Sequence, residues 1–362
     1  MRVKLGDIFE IGSGGTPSKS HPEYYGGDIP WVKTGDLKSE YLYEVEDFIT
    51  EEGLKNSSAK IYEEDTVLIA MYGATIGATS ILKMSACTNQ ACAAFKKNDR
   101  VIPEYLYYFL KSQKEKFVKD GVGGAQPNIS AGYLKRVEME LPSLEEQRVI
   151  VDILDKTSNV VIMRNNEITS LDDLIKARFV ELFGDPIINS KNLRTNDLKD
   201  VLILKAGDFT AASDISNEPS DVTPYPCYGG NGIRGYVAEY NQDGEYSLVG
   251  RQGALSGNVQ FACGKFKNTE HALLVTPIVE MNNIWLNQLL LNLDLKRYQT
   301  GAAQPGLSVK NLQEIQIICV PIDEQNRFAE FVQQTDKSKL VVQKSLDETQ
   351  LLFDSLMQKY LG

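Results

Sequence analysis

Apolar residues return at every seventh position through the middle of the chain: Leu154, Val161, Ile168, Ile175 and Leu182. A second row, Ile150, Thr157, Arg164, Leu171 and Arg178, lies four residues before each. This heptad seam predicts one long α-helix with a narrow contact face. The end of the chain repeats it, with Val332, Lys339, Leu346, Phe353 and Tyr360 in the first row and Phe328, Thr335, Val342, Thr349 and Leu356 in the second. Both segments begin after a proline, Pro142 and Pro321, and place Glu145, Glu146, Asp323 and Glu324 in the first turn, where the helix dipole favours them. Gly184 and Pro186 close the first copy. Arg164 in one seam stands where the other has Val342, and Lys339 stands where the other has Val161. The polar breaks therefore do not coincide. An antiparallel pair covers its own gaps, whereas the alternative packs each helix separately on its own domain.

The segments before each helix have a different texture. Val67–Ala70 and Val137–Leu141 read as strands, and Glu104 to Phe117, opened by Pro103, as a helix. The same order returns with strands at Leu248–Gly250 and Ile315–Val320 and a helix at Ile284 to Tyr298. These are mixed α/β modules with glycine-dense loops.

The recurrence is an internal repeat. Shifted by 178 residues, Gly124-Ala-Gln-Pro-Asn-Ile-Ser130 falls on Ala302-Ala-Gln-Pro-Gly-Leu-Ser308, and Glu146-Gln147 falls on Glu324-Gln325. Earlier parts match more loosely. Leu5-Gly-Asp-Ile8 resembles Leu198-Lys-Asp-Val201, Gly73-Ala-Thr-Ile-Gly77 resembles Gly253-Ala-Leu-Ser-Gly257, and Thr88-Asn-Gln-Ala91 resembles Thr269-Glu-His-Ala272. The expected fold is α+β: two mixed α/β domains in pseudo-two-fold repeat, separated by two long helices forming an antiparallel coiled coil. The divisions are 1–142, 143–184, 185–320 and 321–362.

Composition narrows the function. Net charge is 38 − 49 = −11 over 362 residues, which by itself argues against nucleic-acid binding. Neither front is basic: residues 1–142 carry 17 basic and 20 acidic side chains, and residues 185–320 carry 11 and 14. The five cysteines are scattered and only His21 and His271 are available as histidines, so a closed four-ligand metal site is not expected. No apolar run approaches a membrane span and the N-terminus has no apolar signal region, which points to a cytoplasmic chain with free thiols. G-x-x-x-x-G-K-[ST], a strand-linked G-x-G-x-x-G and G-x-S-x-G are all missing, so an autonomous enzyme is disfavoured.

The two-unit plan resembles the specificity subunit of type I restriction-modification systems. The resemblance rests on Leu5-Gly-Asp-Ile-Phe-Glu-Ile-Gly-Ser-Gly-Gly-Thr-Pro-Ser18, Asp28-Ile-Pro-Trp-Val-Lys-Thr-Gly-Asp-Leu37, Tyr72-Gly-Ala-Thr-Ile-Gly77, Pro142-Ser-Leu-Glu-Glu-Gln147 and Pro321-Ile-Asp-Glu-Gln325. The second front departs from it, with Gly207-Asp-Phe-Thr210 replacing the Gly-x-Thr-Pro-Ser opening. The resemblance implies two target-recognition domains on double-stranded DNA, each reading half of a split site. It also implies spacer helices that dock two modification subunits, and restriction subunits that join for cleavage. Adenosylmethionine, ATP and Mg are expected only in those partners, and this chain would be non-catalytic. The acidic balance keeps a second reading open, a protein-interaction scaffold without DNA specificity.

Polar loop residues are the candidate DNA contacts, because base edges are read by Arg, Lys, Asn, Gln, Ser and Thr and phosphates by cations. In the first front these are Ser18, Lys19, Lys33, Thr34, Tyr72, Thr75, Asn89 and Gln90. In the second they are Tyr228, Asn231, Arg234, Arg251, Gln252, Lys265, Lys267 and His271. Gln126 and Gln304 sit in the duplicated Ala-Gln-Pro loop, where a structural role is an equal alternative. His271 reads more readily as a packed or hydrogen-bonded histidine than as a contact, and Trp31 as core. The spacer and docking positions are Leu154, Val161, Ile168, Ile175, Leu182, Val332, Leu346, Phe353 and Tyr360.

Overall fold

The computed structural model describes residues 1–122, 128–253, 255–301 and 306–362. Gln126 and Gln304 lie outside the described residues. The chain divides into two compact units, residues 1–164 with 345–362, and residues 165–344.

In the first unit, strands Ile11–Ser13, Cys92–Phe95, Val67–Ala70, Thr79–Leu82 and Tyr41–Leu42 form a five-stranded sheet in that order. Val67–Ala70, read from sequence as a strand, is buried at all four positions. A continuous apolar run suits a strand covered on both faces. Phe48–Ile49, Tyr25–Val32, Ala86–Thr88 and Ile61–Tyr62 form a second sheet. Helix Pro103–Ser112 lies over the first, and Tyr105, Leu106, Phe109 and Leu110 share a core with Val67, Ile69 and Phe95 on one side and with Leu154, Phe353, Met357 and Leu361 on the other. The helix anticipated over Glu104 to Phe117 is in fact two, Pro103–Ser112 and Lys114–Asp120. The turn tightens at Gln113, whose N–H is shared by the Phe109 and Leu110 carbonyls.

The second unit follows the same plan with longer strands. Leu202–Ala206, Ala272–Pro277, Gln242–Gly250, Val259–Asn268, Tyr225–Gly229 and Gly232–Val237 form a six-stranded sheet in that order. Helix Asn283–Asn292 places Trp285, Leu286, Leu289 and Leu290 between Val249, Leu273 and Val275 and the long-helix residues Ile175, Phe179, Phe183, Phe328 and Val332. It stops at Asn292, and Leu295–Tyr298 is a separate 3-10 turn entered through Asp294 at φ +47°.

The two heptad segments are α-helices of 40 residues each, Leu144–Phe183 and Ile322–Leu361, or about 60 Å at 1.5 Å per residue. Ser143 opens the first as a capping box, its N–H bonded to the Glu146 carboxylate at 2.8 Å and its hydroxyl accepting from the Glu146 N–H at 3.3 Å. Gly184, at φ +78°, ends it and donates to the Val180 carbonyl at 2.8 Å. Within the first unit the early residues Ile150 and Leu154 of one helix meet the late residues Phe353 and Met357 of the other. Within the second unit Phe179 and Phe183 meet Phe328 at centroid distances of 5.5 Å. Low numbers facing high numbers in both units define an antiparallel pair. The polar break at Lys339 is covered by an ion pair to Asp172 of the other helix.

One seam assignment needs correction. Leu182 is 37% exposed, whereas Phe179 and Phe183 are buried. An α-helix drifts about 20° per heptad against a strict seven-residue row, so after four heptads Leu182 has rotated off the buried face and Phe179 and Phe183 occupy it instead.

The duplicated Gln147 and Gln325 are structural pins. Gln147 accepts from the Ile102 N–H at 2.9 Å and donates to the Arg100 and Pro142 carbonyls at 3.0 and 3.1 Å. Gln325 accepts from the Asn282 N–H at 2.9 Å and donates to the Val320 carbonyl at 2.7 Å. Both are buried, and each locks the start of a long helix to the loop that opens its domain's own helix. Among the described residues no helix is long and apolar enough to cross a membrane.

Candidate nucleic-acid interface

Strand direction gathers the first front's candidate loops. Cys92–Phe95 runs antiparallel to both Val67–Ala70 and Ile11–Ser13, so its entry loop, Asn89–Ala91, lies beside their exit loops, Met71–Gly77 and Gly14–Ser20. Tyr25–Val32 runs parallel to Ala86–Thr88 and delivers Lys33 and Thr34 to the same end. Trp31 is buried and its indole N–H donates to the Gly15 carbonyl at 3.0 Å. Gly14 has no room for a side chain, since a Cβ there would collide with the Thr88 carbonyl.

The second front builds the same end from different residues. The Met71 N–H bonds the Ala91 carbonyl, and the Arg251 N–H bonds the His271 carbonyl. The Met71 carbonyl accepts from Ile129, and the Arg251 carbonyl accepts from Leu307. Tyr72 bridges Asn128, and Gln252 bridges Gly306. The glycines that open and close each loop share the left-handed region, Gly73 and Gly77 at φ +65° and +80°, Gly253 and Gly257 at +79° and +87°. Gly207 occupies the place of Gly14, its absent Cβ facing the Asn268 carbonyl. Asp208 occupies that of Gly15, the two donating to the Asn268 and Thr88 carbonyls respectively.

These bonds correct the sequence register by one residue. Thr88 corresponds to Asn268 rather than Thr269, Asn89 to Thr269, Gln90 to Glu270, and Ala91 to His271. The shared threonine and alanine made the wrong register look better, but the backbone hydrogen bonds decide it.

The candidates then sort by what their side chains do. In the first front Ser18, Lys19, Tyr72 and Gln90 are exposed on the gathered loops. Lys33 is tied to Asp47 and lies 5.5 Å from the Trp31 ring centroid, and Thr34 is half-buried in a 3-10 turn. Thr75 bonds the Tyr72 carbonyl at 3.1 Å, and Asn89 accepts from the Ala91 N–H at 3.1 Å, so both shape loops. In the second front Asn231, Arg234, Gln252 and Lys265 are exposed. Tyr228 is half-buried and packs edge-on against Phe266 at 5.3 Å, Asn231 bonds Asn258 at 2.7 Å, and Lys265 lies over Tyr240 at 4.9 Å. Lys267 pairs with Asp208 at 3.5 Å. The Asp208 carboxyl is held below its ordinary range, first by the Asn241 hydrogen bond and then by the Lys267 charge. His271 contacts Gln252 and Glu270, both at 3.1 Å. Lys19, Arg234 and Arg251 make no ion pair among the described residues.

Glu270, placed by its adjacency to His271, was missed in the sequence. Among the described residues no group of three His, Cys, Asp or Glu side chains converges as a metal site.

One backbone used twice, with unlike side chains at its loop ends, defines a two-module recognition protein. Comparison with known proteins gives the family. The type I restriction modification DNA specificity domain matches residues 1–172 and again 191–348. The EcoprrI type I specificity subunit of Escherichia coli is 31% identical over 92% of this chain and 87% of its own length. The MjaIX specificity subunit of Methanocaldococcus jannaschii is 32% identical over 60% of this chain and 52% of its own. The solved S subunit from M. genitalium has the same fold, with a TM-score of 0.61 at 18% identity over 100% of this chain and 96% of that one. The chain belongs to the type I restriction-modification DNA specificity family.

Proposed function

We propose that this chain is the non-catalytic sequence-reading subunit of a type I complex. Each front reads one half of a bipartite duplex target, the helix pair sets the spacing between halves, and the helices' outer faces dock two modification subunits. Adenosylmethionine is assigned to those subunits, and ATP and Mg to the restriction subunits that complete the assembly. The observation that carries the reading is the pair of segments 70–73 and 250–253, which share a hydrogen-bond pattern yet present Tyr72 in one and Gln252 in the other. Two such readers in one chain need not read a palindrome, unlike a two-fold dimer on symmetric half-sites. Joining them raises the effective concentration of the second half-site once the first is bound.

The acidic balance of both fronts supports a modest intrinsic affinity, with partner subunits supplying much of the phosphate neutralisation. The test is methylome sequencing of a host expressing this chain with its partners, followed by duplex binding of the chain alone and of the complex. A bipartite target bound far more tightly by the complex is expected. Arg251→Ala should relax discrimination in one half only, by ~1–3 kcal/mol if it contacts a base. Equal loss in both halves overturns the two-reader plan, and assembly with no sequence preference leaves the scaffold reading.

A further inference from the structure

We infer that Gln252 is the adenine-reading residue of the second front and that His271 and Glu270 are its positioning residues. The inference rests on the proposed function and adds a base identity to it.

Three features single out Gln252. It stands at the backbone position of Tyr72, at the mouth of the loop shared by both fronts, and both residues are exposed. It is held from behind, because His271 Nδ1 lies 3.1 Å from the Gln252 amide and His271 Nε2 lies 3.1 Å from a Glu270 carboxylate oxygen. The first front has no such device, having Ala91 and Gln90 in place of His271 and Glu270, with Gln90 bonded to Thr16 instead. The second Glu270 oxygen is buried without a hydrogen-bond partner. Burying a carboxylate oxygen unpaired is unfavourable, and a solvated surface glutamate would not be held so.

The chemistry follows from the donors and acceptors. An imidazole with protons on both nitrogens donates to the amide oxygen and to Glu270. A neutral ring donates from Nε2 to Glu270 and accepts at Nδ1 from the amide nitrogen after a half-turn of the amide. Either way the ring holds one edge of the amide and leaves Gln252 at least one free donor and one free acceptor. Adenine presents the complement in the major groove, an N7 acceptor beside an N6 donor, and a bidentate amide is its usual partner. Guanine offers two acceptors there and cytosine a donor without an adjacent acceptor, so a fixed amide discriminates against both.

The test uses the full complex with libraries randomised one base pair at a time across the target that the wild-type complex methylates. Gln252→Ala is expected to lose on the order of 10- to 100-fold preference for A·T at a single position of one half-site, leaving every other position unchanged. Gln252→Glu, equal in size but acceptor-only at neutral pH, is expected to move that position toward cytosine, whose N4 donates. His271→Phe is expected to weaken preference at that same position only, and His271→Asn to recover part of it. Both Gln252 variants keeping wild-type preference at every position overturns the inference, as does a loss spread evenly over the target. If the wild-type complex shows no bipartite target, the parent reading fails instead.

Discussion

The paired helices rest on an apolar seat with a polar edge in the first unit and on an aromatic cluster in the second. In the first, the Tyr108 hydroxyl donates to Asp155 at 2.7 Å and Tyr41 donates to Glu104 at 3.3 Å, with Glu40, Tyr107 and Lys111 close by. In the second, Phe179, Phe183, Phe328 and Trp285 interlock, largely edge-on, at centroid distances of 5.1 to 6.4 Å. The connection between helix and domain is otherwise the same, with a buried glutamine pin and a short helix sandwiched between sheet and long helices. The scaffold thus depends on volume and on the pins. The chemistry filling the seat is free to differ, but it sets how each unit responds to mutation and pH.

The largest expected contrast is Phe179→Ala. Removing a fully buried ring at the centre of that cluster should cost about 3–5 kcal/mol, seen as a lower denaturation midpoint. A cost below 1 kcal/mol would show that the aromatic seat is not what holds the second unit.

Gly15→Asp imports the second front's residue into the first. At Gly15 a new Cβ would press on Ser58 and the Ala59 backbone, whereas Asp208 already carries a Cβ. The expected cost is roughly 1–3 kcal/mol. The reciprocal Asp208→Gly removes a partly exposed ion pair with Lys267 and the hydrogen bond from Asn241, and should cost roughly 1–2 kcal/mol. Thermal unfolding of both variants ranks them.

The smallest effect sharpens the polar edge. Burial, then the charge of Asp155, pushes the Glu40 carboxyl above its ordinary range, with Glu104 adding to the rise and Tyr41 and Lys111 opposing it. A carboxyl whose folded pKa exceeds its unfolded one destabilises when ionised, so wild-type stability gains as pH falls from neutral through the folded pKa. Glu40→Gln should therefore be more stable near neutral pH, by less than about 1 kcal/mol given partial hydration, and lose that advantage in acid. A constant difference across pH rules out titration of Glu40 as the cause.

What was legible in the sequence followed from local periodicity. The heptad rows located both long helices because a seam needs only residues seven apart, and Val67–Ala70 was readable as an uninterrupted apolar run. The Leu182 position failed because small angular drift accumulates over four heptads. The strands Tyr25–Val32 and Tyr225–Gly229 were not anticipated, since glycines, prolines and tyrosines break their alternation and pairing with distant strands stabilises them instead. The site was half legible. Loop residues were chosen by type, but which ones face outward depends on bonds such as Asn89 to Ala91, and the correct register at Thr88 and Asn268 required the backbone. Gln147 and Gln325 were visible as a repeat, while their role depended on partners tens of residues away.

Those two glutamines also limit how fronts can be exchanged among relatives. Each welds a helix start to a carbonyl or amide of the domain it serves, at Arg100 and Ile102 in one case and Asn282 in the other. A chimaera joined inside the 100–147 or 282–325 stretch splits a weld between parents, whereas one joined outside transplants the front with its hinge already fixed.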